Sequence, residues 1–233
     1  MKRFFTIVFC IMTSYCIGQT LSYSRGQIQY FSKTITPVLG QVDPLEIDIT
    51  HNFNFSMIPL KSNKHLLVGL NYFRMSGWTA FAYSLSKTVG AGQGTAYTKV
   101  RRIGIDIKYL FFSTQNKLNF YPLLKIDKEF WDVQVPGLTL VNIFLEEERG
   151  LGGDIYTETY NGGQILPSIG LGVSLNLFWR IVFTGEMYYS FGNKAYQRMY
   201  FDYTYYGLPQ KRAEWIGDGT GFIQQIGIGI KLW

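Results

Sequence analysis

Along residues 45–57 the odd positions read Leu45, Ile47, Ile49, His51, Phe53, Phe55 and Met57, while the even positions read Glu46, Asp48, Thr50, Asn52, Asn54 and Ser56. A side-chain period of two sends these sets to opposite faces of an extended strand. Residues 165–177 repeat the pattern, with Ile165, Pro167, Ile169, Leu171, Val173, Leu175 and Leu177 against Leu166, Ser168, Gly170, Gly172, Ser174 and Asn176. Helical periodicity fits neither segment. Weaker copies follow at 66–72, at 103–111 opposite Arg102, Gly104, Asp106 and Lys108, and at 118–126 opposite Asn119, Tyr121 and Lys125. Two more lie at 181–191 opposite Thr184, Glu186 and Ser190, and at 222–232 opposite Gln225, Gly227, Gly229 and Lys231. These make seven strands. An eighth is needed if the sheet closes with both termini on one side, and residues 21–31 are the candidate although their alternation is poor.

The connections alternate in length. Short turns are predicted at 61–65, 113–117 and 178–180, and long links at 32–44, 76–99, 127–164 and 192–221. The expected fold is therefore all-β, one eight-stranded antiparallel up-and-down barrel with short turns at one end and long loops at the other.

Alternation alone does not say which face of the wall points outward. Glycines and small residues recur on the polar face (Gly104, Gly170, Gly172, Gly227, Gly229), as a narrow eight-stranded interior requires. Large aromatics gather near strand ends (Tyr72, Phe73, Tyr109, Phe111, Phe178, Trp179, Tyr189, Phe191, Trp233), where a membrane–water girdle places them. No apolar run outside the N-terminus is long enough for a spanning helix. In hydrocarbon an unpaired backbone group costs several kcal/mol, so a non-helical chain crosses only as a closed sheet. The apolar face is accordingly expected outward, against lipid. The polar face then turns Glu46, Asp48, Arg102, Asp106, Lys108, Lys125, Glu186 and Lys231 into the lumen as a network of ion pairs; the bland alternative is that several sit solvated at strand ends.

Composition sharpens this picture. Of 233 residues 47% are hydrophobic and 16% charged, which excludes a disordered chain. Lys2 and Arg3, then the apolar stretch 4–12 and the small residues around Gly18, read as a secretory signal peptide over residues 1–18, leaving residues 19–233 as the barrel domain. Both cysteines, Cys10 and Cys16, fall in that leader, so disulfides and Cys-ligated metal are not expected in the mature chain. Loss of Lys2 and Arg3 lowers the formal charge from +6 to +4, too mild to argue for nucleic acid.

The leader, the alternating strands and the closing stretch Ile226-Gly227-Ile228-Gly229-Ile230-Lys231-Leu232-Trp233 together resemble the small outer-membrane β-barrel proteins of Gram-negative bacteria, the eight-stranded OmpA/OmpX/OmpW-like group. The resemblance covers the mature chain and rests on pattern. It implies a monomer in the outer membrane, with outer-membrane lipids and lipopolysaccharide around it and the barrel-assembly machinery as a partner in biogenesis. It implies no cofactor. Trp233 departs from the family's pattern, because it lies on the opposite parity from Ile226, Ile228, Ile230 and Leu232.

Candidate chemistry is sparse. His51 interrupts an apolar face; it is either a neutral imidazole at a girdle or a surface histidine working with a serine, for which spacing assigns no partner. His65 belongs to a turn. Glu146, Glu147 and Glu148 with Asp154 and Glu158 are oxygen ligands of the type that suits calcium or magnesium, but follow no defined loop spacing and read as a solvated acidic loop. Residues 90–94, with three glycines, lack the lysine and the strand–helix setting of a phosphate cradle and read as a flexible loop. Tyr196, Tyr200, Phe201, Tyr203, Tyr205 and Tyr206, with Arg198, Asp202, Lys211 and Arg212 nearby, form an interaction surface for an extracellular ligand, a strand pair continuing above the membrane, or both at once. The functional expectation is a non-enzymatic barrel with a structural or surface-interaction role through its long loops. Its rivals are a narrow channel or carrier for small or hydrophobic solutes, an outer-membrane lipid-modifying enzyme and a soluble lipocalin-like binder.

Overall fold

A computed structural model describes residues 17–30, 33–35, 41–45, 48–58, 65–86, 89–112, 117–134, 152–159, 162–178, 180–195, 197–204 and 211–232. Its strands are β1 (Ile17–Tyr30), β2 (Lys33–Ile35), β3 (Gln41–Leu45), β4 (Asp48–Ile58), β5 (Leu66–Ser86), β6 (Val89–Tyr109), β7 (Leu118–Gln134), β8 (Gly152–Thr159), β9 (Gly162–Asn176), β10 (Ile181–Ser190), β11 (Gln197–Thr204), β12 (Lys211–Gly217) and β13 (Gly221–Lys231). Eight of them close a ring, each antiparallel to its neighbours, in the order β1, β4, β5, β6, β7, β9, β10, β13 and back to β1. The closing seam pairs Thr20 with Lys231 and continues to Tyr30 with Gly221.

The first strand is therefore real and slightly earlier than the sequence suggests: it opens at Ile17, two residues inside the expected leader, and ends at Tyr30. Its alternation is poor for a visible reason. The outward positions Arg25, Gln27 and Gln29 are polar and exposed, while the inward Ile28 is buried at 1% exposure.

The long links need a larger correction. Residues 76–99 are not a loop, because β5 and β6 stay paired from Leu66 with Tyr109 up to Ser86 with Val89. The glycine-rich stretch 90–94, expected as a flexible loop, lies inside β6. Likewise β7 continues to Gln134, and the links at 32–44, 127–164 and 192–221 contain β2, β3, β8, β11 and β12. β3 pairs with the upper part of β5, and β2, β12, β11 and β8 form a second, four-stranded sheet. Period-two hydrophobicity is imposed only where one face meets an apolar medium. Beyond that zone the backbone pairs equally well without the pattern, so strands run on where alternation stops. The predicted short turns hold their places between β4 and β5, β6 and β7, and β9 and β10.

The wall is apolar outside and polar inside. Ile226, Leu171 and Ile103 are 75%, 60% and 57% exposed, whereas Arg102 and Asp106 are fully buried and Glu129 is 1% exposed. That is the inverse of a soluble barrel and the expected arrangement for one standing in lipid. Two outward expectations fail. Phe73 points inward and is buried beneath Arg102, whose guanidinium carbon lies 4.7 Å from the ring centroid. Met57 is buried at the end of β4, where the β1–β4 register shifts between Ile17 and Thr20. Tyr109, Phe111, Phe178 and Phe191 are exposed at the strand ends as expected, and Trp179 and Trp233 lie outside the described residues.

Inward glycines make room for large partners. A Cβ built on Gly172 would overlap the Tyr121 ring, and one on Gly69 would overlap the Asp106 carboxylate. Gly185 instead faces outward, and its Cβ would meet only Val173 at 3.3 Å. Gly172→Val is expected to destabilise the barrel by about 1–3 kcal/mol through overpacking. Gly185→Ala should cost clearly less, and urea unfolding in lipid vesicles followed by tryptophan fluorescence checks the difference.

Candidate functional site: the charged lumen

Five of the eight lumenal charges predicted from the sequence are brought together. Lys108 and Glu186 meet at 2.7 Å, Lys125 and Glu186 at 3.4 Å, and Lys108 and Asp106 at 3.1 Å. β6 and β10 are separated in the wall by β7 and β9, so the Lys108–Glu186 pair crosses the interior. The Tyr121 hydroxyl donates to Glu186 at 3.0 Å, the Asn54 amide donates to Asp106 at 2.9 Å, and the Lys125 ammonium sits 4.2 Å from the centroid of the Tyr188 ring. Each charge in this layer thus has an opposite charge, a donor or an aromatic face beside it, as burial demands.

Arg102, the fifth, anchors a second layer nearer the loop end. Its Nε donates to Glu129 at 2.6 Å, and its Nη1 reaches Ser190 at 3.5 Å, with Ser168 and Ser190 hydroxyls 2.8 Å apart. Gln164 donates to the other oxygen of Glu129 at 2.8 Å and to the Asp218 carbonyl at 2.7 Å, while its own carbonyl accepts from the backbone N–H of Asn193 and Lys194. A third set joins Ser24 and Asn52 to Gln225, and Gln225 to Thr50. Apolar side chains are buried beside these layers as well, Ile28, Met75, Val100 and Ile223 toward the loops and Leu110 and Val182 toward the turns.

Of the remaining three predicted members, Lys231 is the one whose side chain is described. Lys231 is the last residue of β13, half-buried at the turn end, so it belongs to the strand end and not to the central clusters. Asp48 opens β4 opposite Ile28, and Glu46 lies outside the described residues. Glu129, Asp127 and Gln164 belong to the interior without having been expected there. Lys125, Asp127, Glu129 and Trp131 continue one parity and are all buried, a readable signal inside a segment whose length and composition suggest a loop.

Other candidates are settled by position. The Nδ1 of His51 lies 2.7 Å from the Tyr23 hydroxyl on the outer wall, and His65 Nδ1 lies 2.9 Å from the Leu110 carbonyl in a turn. Tyr200, Phe201 and Tyr203 are in β11, paired on both sides with β12 and β8, so this part of the tyrosine-rich segment is a strand within the second sheet. Arg198 and Glu214 face each other between β11 and β12 at 3.9 Å. Tyr196, Tyr205, Tyr206 and Glu146, Glu147 and Glu148 lie outside the described residues. Among the described residues no group of acidic or histidine side chains is arranged to hold a metal.

No protein-family model matches the chain, and no curated protein matches it in sequence. Solved structures do. The outer membrane protein OprG from Pseudomonas aeruginosa superposes with a TM-score of 0.56 at 10% identity, over 94% of this chain and 97% of that one. A major outer membrane protein from Thermus thermophilus gives 0.49 at 10% identity over 92% and 99%, and Neisserial surface protein A gives 0.47 at 10% identity over 93% and 99%. The likeness to OprG carries the conclusion that this chain has the outer-membrane β-barrel fold, an eight-stranded antiparallel cylinder with a lipid-facing exterior.

Glu186 is the hub of the lower layer, since two lysines and a tyrosine converge on it. Removing one partner from a buried ion pair costs about 3–5 kcal/mol because a charge is left uncompensated. Glu186→Gln is expected to lower stability by that order, and a double-mutant cycle with Lys108→Met should give a coupling well above that of two independent sites. Urea unfolding in vesicles measures both.

Proposed function

We propose that the protein is a non-conducting, non-enzymatic outer-membrane barrel whose plugged cylinder serves as a platform for the strand-rich assembly above it. The carrying observation is the lumen. The Glu186 cluster reaches from β6 and β7 to β10, Arg102 and Glu129 pair between the neighbouring strands β6 and β7, and Arg102, Asp106, Lys125 and Glu129 are each no more than 3% exposed. An eight-stranded interior is barely wide enough for side chains, and here those side chains hold one another by ion pairs and hydrogen bonds. An ion passing through would have to displace charge pairs that no solvent replaces.

The loop side supports the second half of the reading. The links build a four-stranded sheet of β2, β12, β11 and β8, and a prolonged β5–β6 hairpin edged by β3. The extended strands β11 and β12, each paired on both edges, give a surface that acts as the recognition element for a partner outside the cell. Against catalysis, the hydrogen bond of the His51 ring is to Tyr23, and among the described residues no serine hydroxyl bonds to that ring.

Reconstituted into planar bilayers, the wild-type protein is expected to be electrically silent. Replacing both Arg102 and Glu129 by alanine should produce brief openings, since it removes the largest fully buried side chain and its counter-charge together. Steady ohmic conductance of the wild type would overturn the plugged reading in favour of a channel.

A further inference from the structure

On the outer wall, four cationic or cationisable side chains stand side by side on four successive strands. Arg25 on β1 is in register with His51 on β4, His51 with Arg74 on β5, and Arg74 with Arg101 on β6. Arg25, Arg74 and Arg101 are exposed and His51 is half-buried. Neighbouring strands lie about 4.8 Å apart, so the row extends over roughly 14 Å. Lys99 and Lys128 flank it, and Asp132, in register with Lys99, is the nearby carboxylate. Among the described residues none of the three arginines forms an ion pair.

The row has a definite place in the wall. Two residues toward the turn end, the same strands present Tyr23, Phe53, Tyr72 and Ile103, and below these Leu21, Phe55, Leu70 and Ile105. The cations therefore cap an apolar wall, with an aromatic row between. The belt is also one-sided. The outward positions of β9, β10 and β13 carry no charge over residues 163–175, 181–191 and 222–230. At its other end the row dips into the apolar wall, for Arg25 is beside Ile226, the latter 75% exposed. A cation facing hydrocarbon is costly unless an anion comes to it, about 2–4 kcal/mol at the midplane.

We propose that this row is a binding site for a phosphorylated lipid of the outer leaflet, with the arginines on the phosphate and the acyl chains lying down the apolar wall. Guanidinium groups in a line suit phosphate oxygens, which they hold in forked, charge-assisted hydrogen bonds. The occupant must be an amphiphile because the surface beneath the cations is lipid-facing. Between the two lies a groove of about 690 Å³ lined by Tyr23, His51, Phe53, Tyr72, Arg74 and Ser76. Its aromatic walls offer faces for the sugar of a glycolipid headgroup. The proposal is independent of whether the lumen conducts.

The test uses full-length protein in phosphatidylcholine nanodiscs, with binding of added diphosphoryl lipid A and of its phosphate-free form measured by native mass spectrometry. Wild type should prefer the phosphorylated form. The variant R25Q/R74Q/R101Q should lose that preference, with an affinity on the order of a hundredfold lower if each charge contributes about fivefold. A control variant, K117Q/R180Q, removes cations from the turn end and should bind as wild type. The heat-dependent gel mobility of each variant shows whether it is folded, and R74Q alone serves if the triple variant is not. Equal binding of the two lipids, an undiminished preference in a folded arginine variant, or equally strong binding of inorganic phosphate by itself would each overturn the assignment.

Discussion

Backbone hydrogen bonding in a medium that offers none is the constraint from which this structure follows. A strand in hydrocarbon must pair on both edges, and a sheet satisfies that only by closing. Here closure depends on β1 meeting β13 over eleven residue pairs, from Thr20 with Lys231 to Tyr30 with Gly221. The first strand has the weakest hydrophobic pattern of the eight, yet it makes the seam. Pairing, and not burial of its side chains in lipid, holds it in place, which is why a strand can carry Arg25, Gln27 and Gln29 outward and still belong to the wall.

Closure with only eight strands dictates the interior. An eight-stranded cylinder has an interior about as wide as its side chains, and here the inner face is too polar to fill with aliphatic side chains alone. Charges that enter must find partners inside, and they do so in two layers: around Glu186 between strands that are not neighbours, and around Glu129 with its register partner Arg102 on the next strand. Size alternates accordingly. Tyr121 occupies the space that Gly172 leaves open, and Asp106 the space left by Gly69. The glycines and the charges are two sides of one packing solution. Neither set has a reason in the pattern of the outer face.

The sequence exposes most clearly what the lipid enforces. Where one face touches hydrocarbon, from Ile103 to Tyr109 or Ile165 to Leu171, period two is regular and the inward set, including Arg102, Asp106 and Lys108, follows from parity alone. The partners of those charges are harder to read, since they depend on which strands face each other across the lumen. Nothing in local spacing ties Lys108 to a carboxylate 78 positions away. Above the membrane the signal fades for a different reason. Strands such as β6 from Val89 onward keep their hydrogen-bond ladder without any need for alternation, so a stretch with three glycines within 90–94 looks like a loop and is a strand. The same blindness hides Glu129, although its parity is correct.

One side chain connects these zones. Gln164 opens the lipid-facing part of β9 and makes hydrogen bonds in both directions: inward to Glu129, and so to Arg102, and upward to the carbonyl of Asp218 and the N–H groups of Asn193 and Lys194. Thr220 completes the junction, its N–H bound to the Asp218 carboxylate and its hydroxyl accepting from Gly192 N. Gly219, at φ +83°, provides the turn conformation that brings this loop back over Glu129. Residues 192–195 and 218–220 are the feet of the β11–β12 hairpin, so both feet rest on a group buried in the lumen. A surface sheet mounted on flexible links would lose the full entropy of ordering whenever it met a partner. Here the packed interior fixes the base of the sheet in advance. The charged interior and the base of the outer sheet are thereby joined through one side chain.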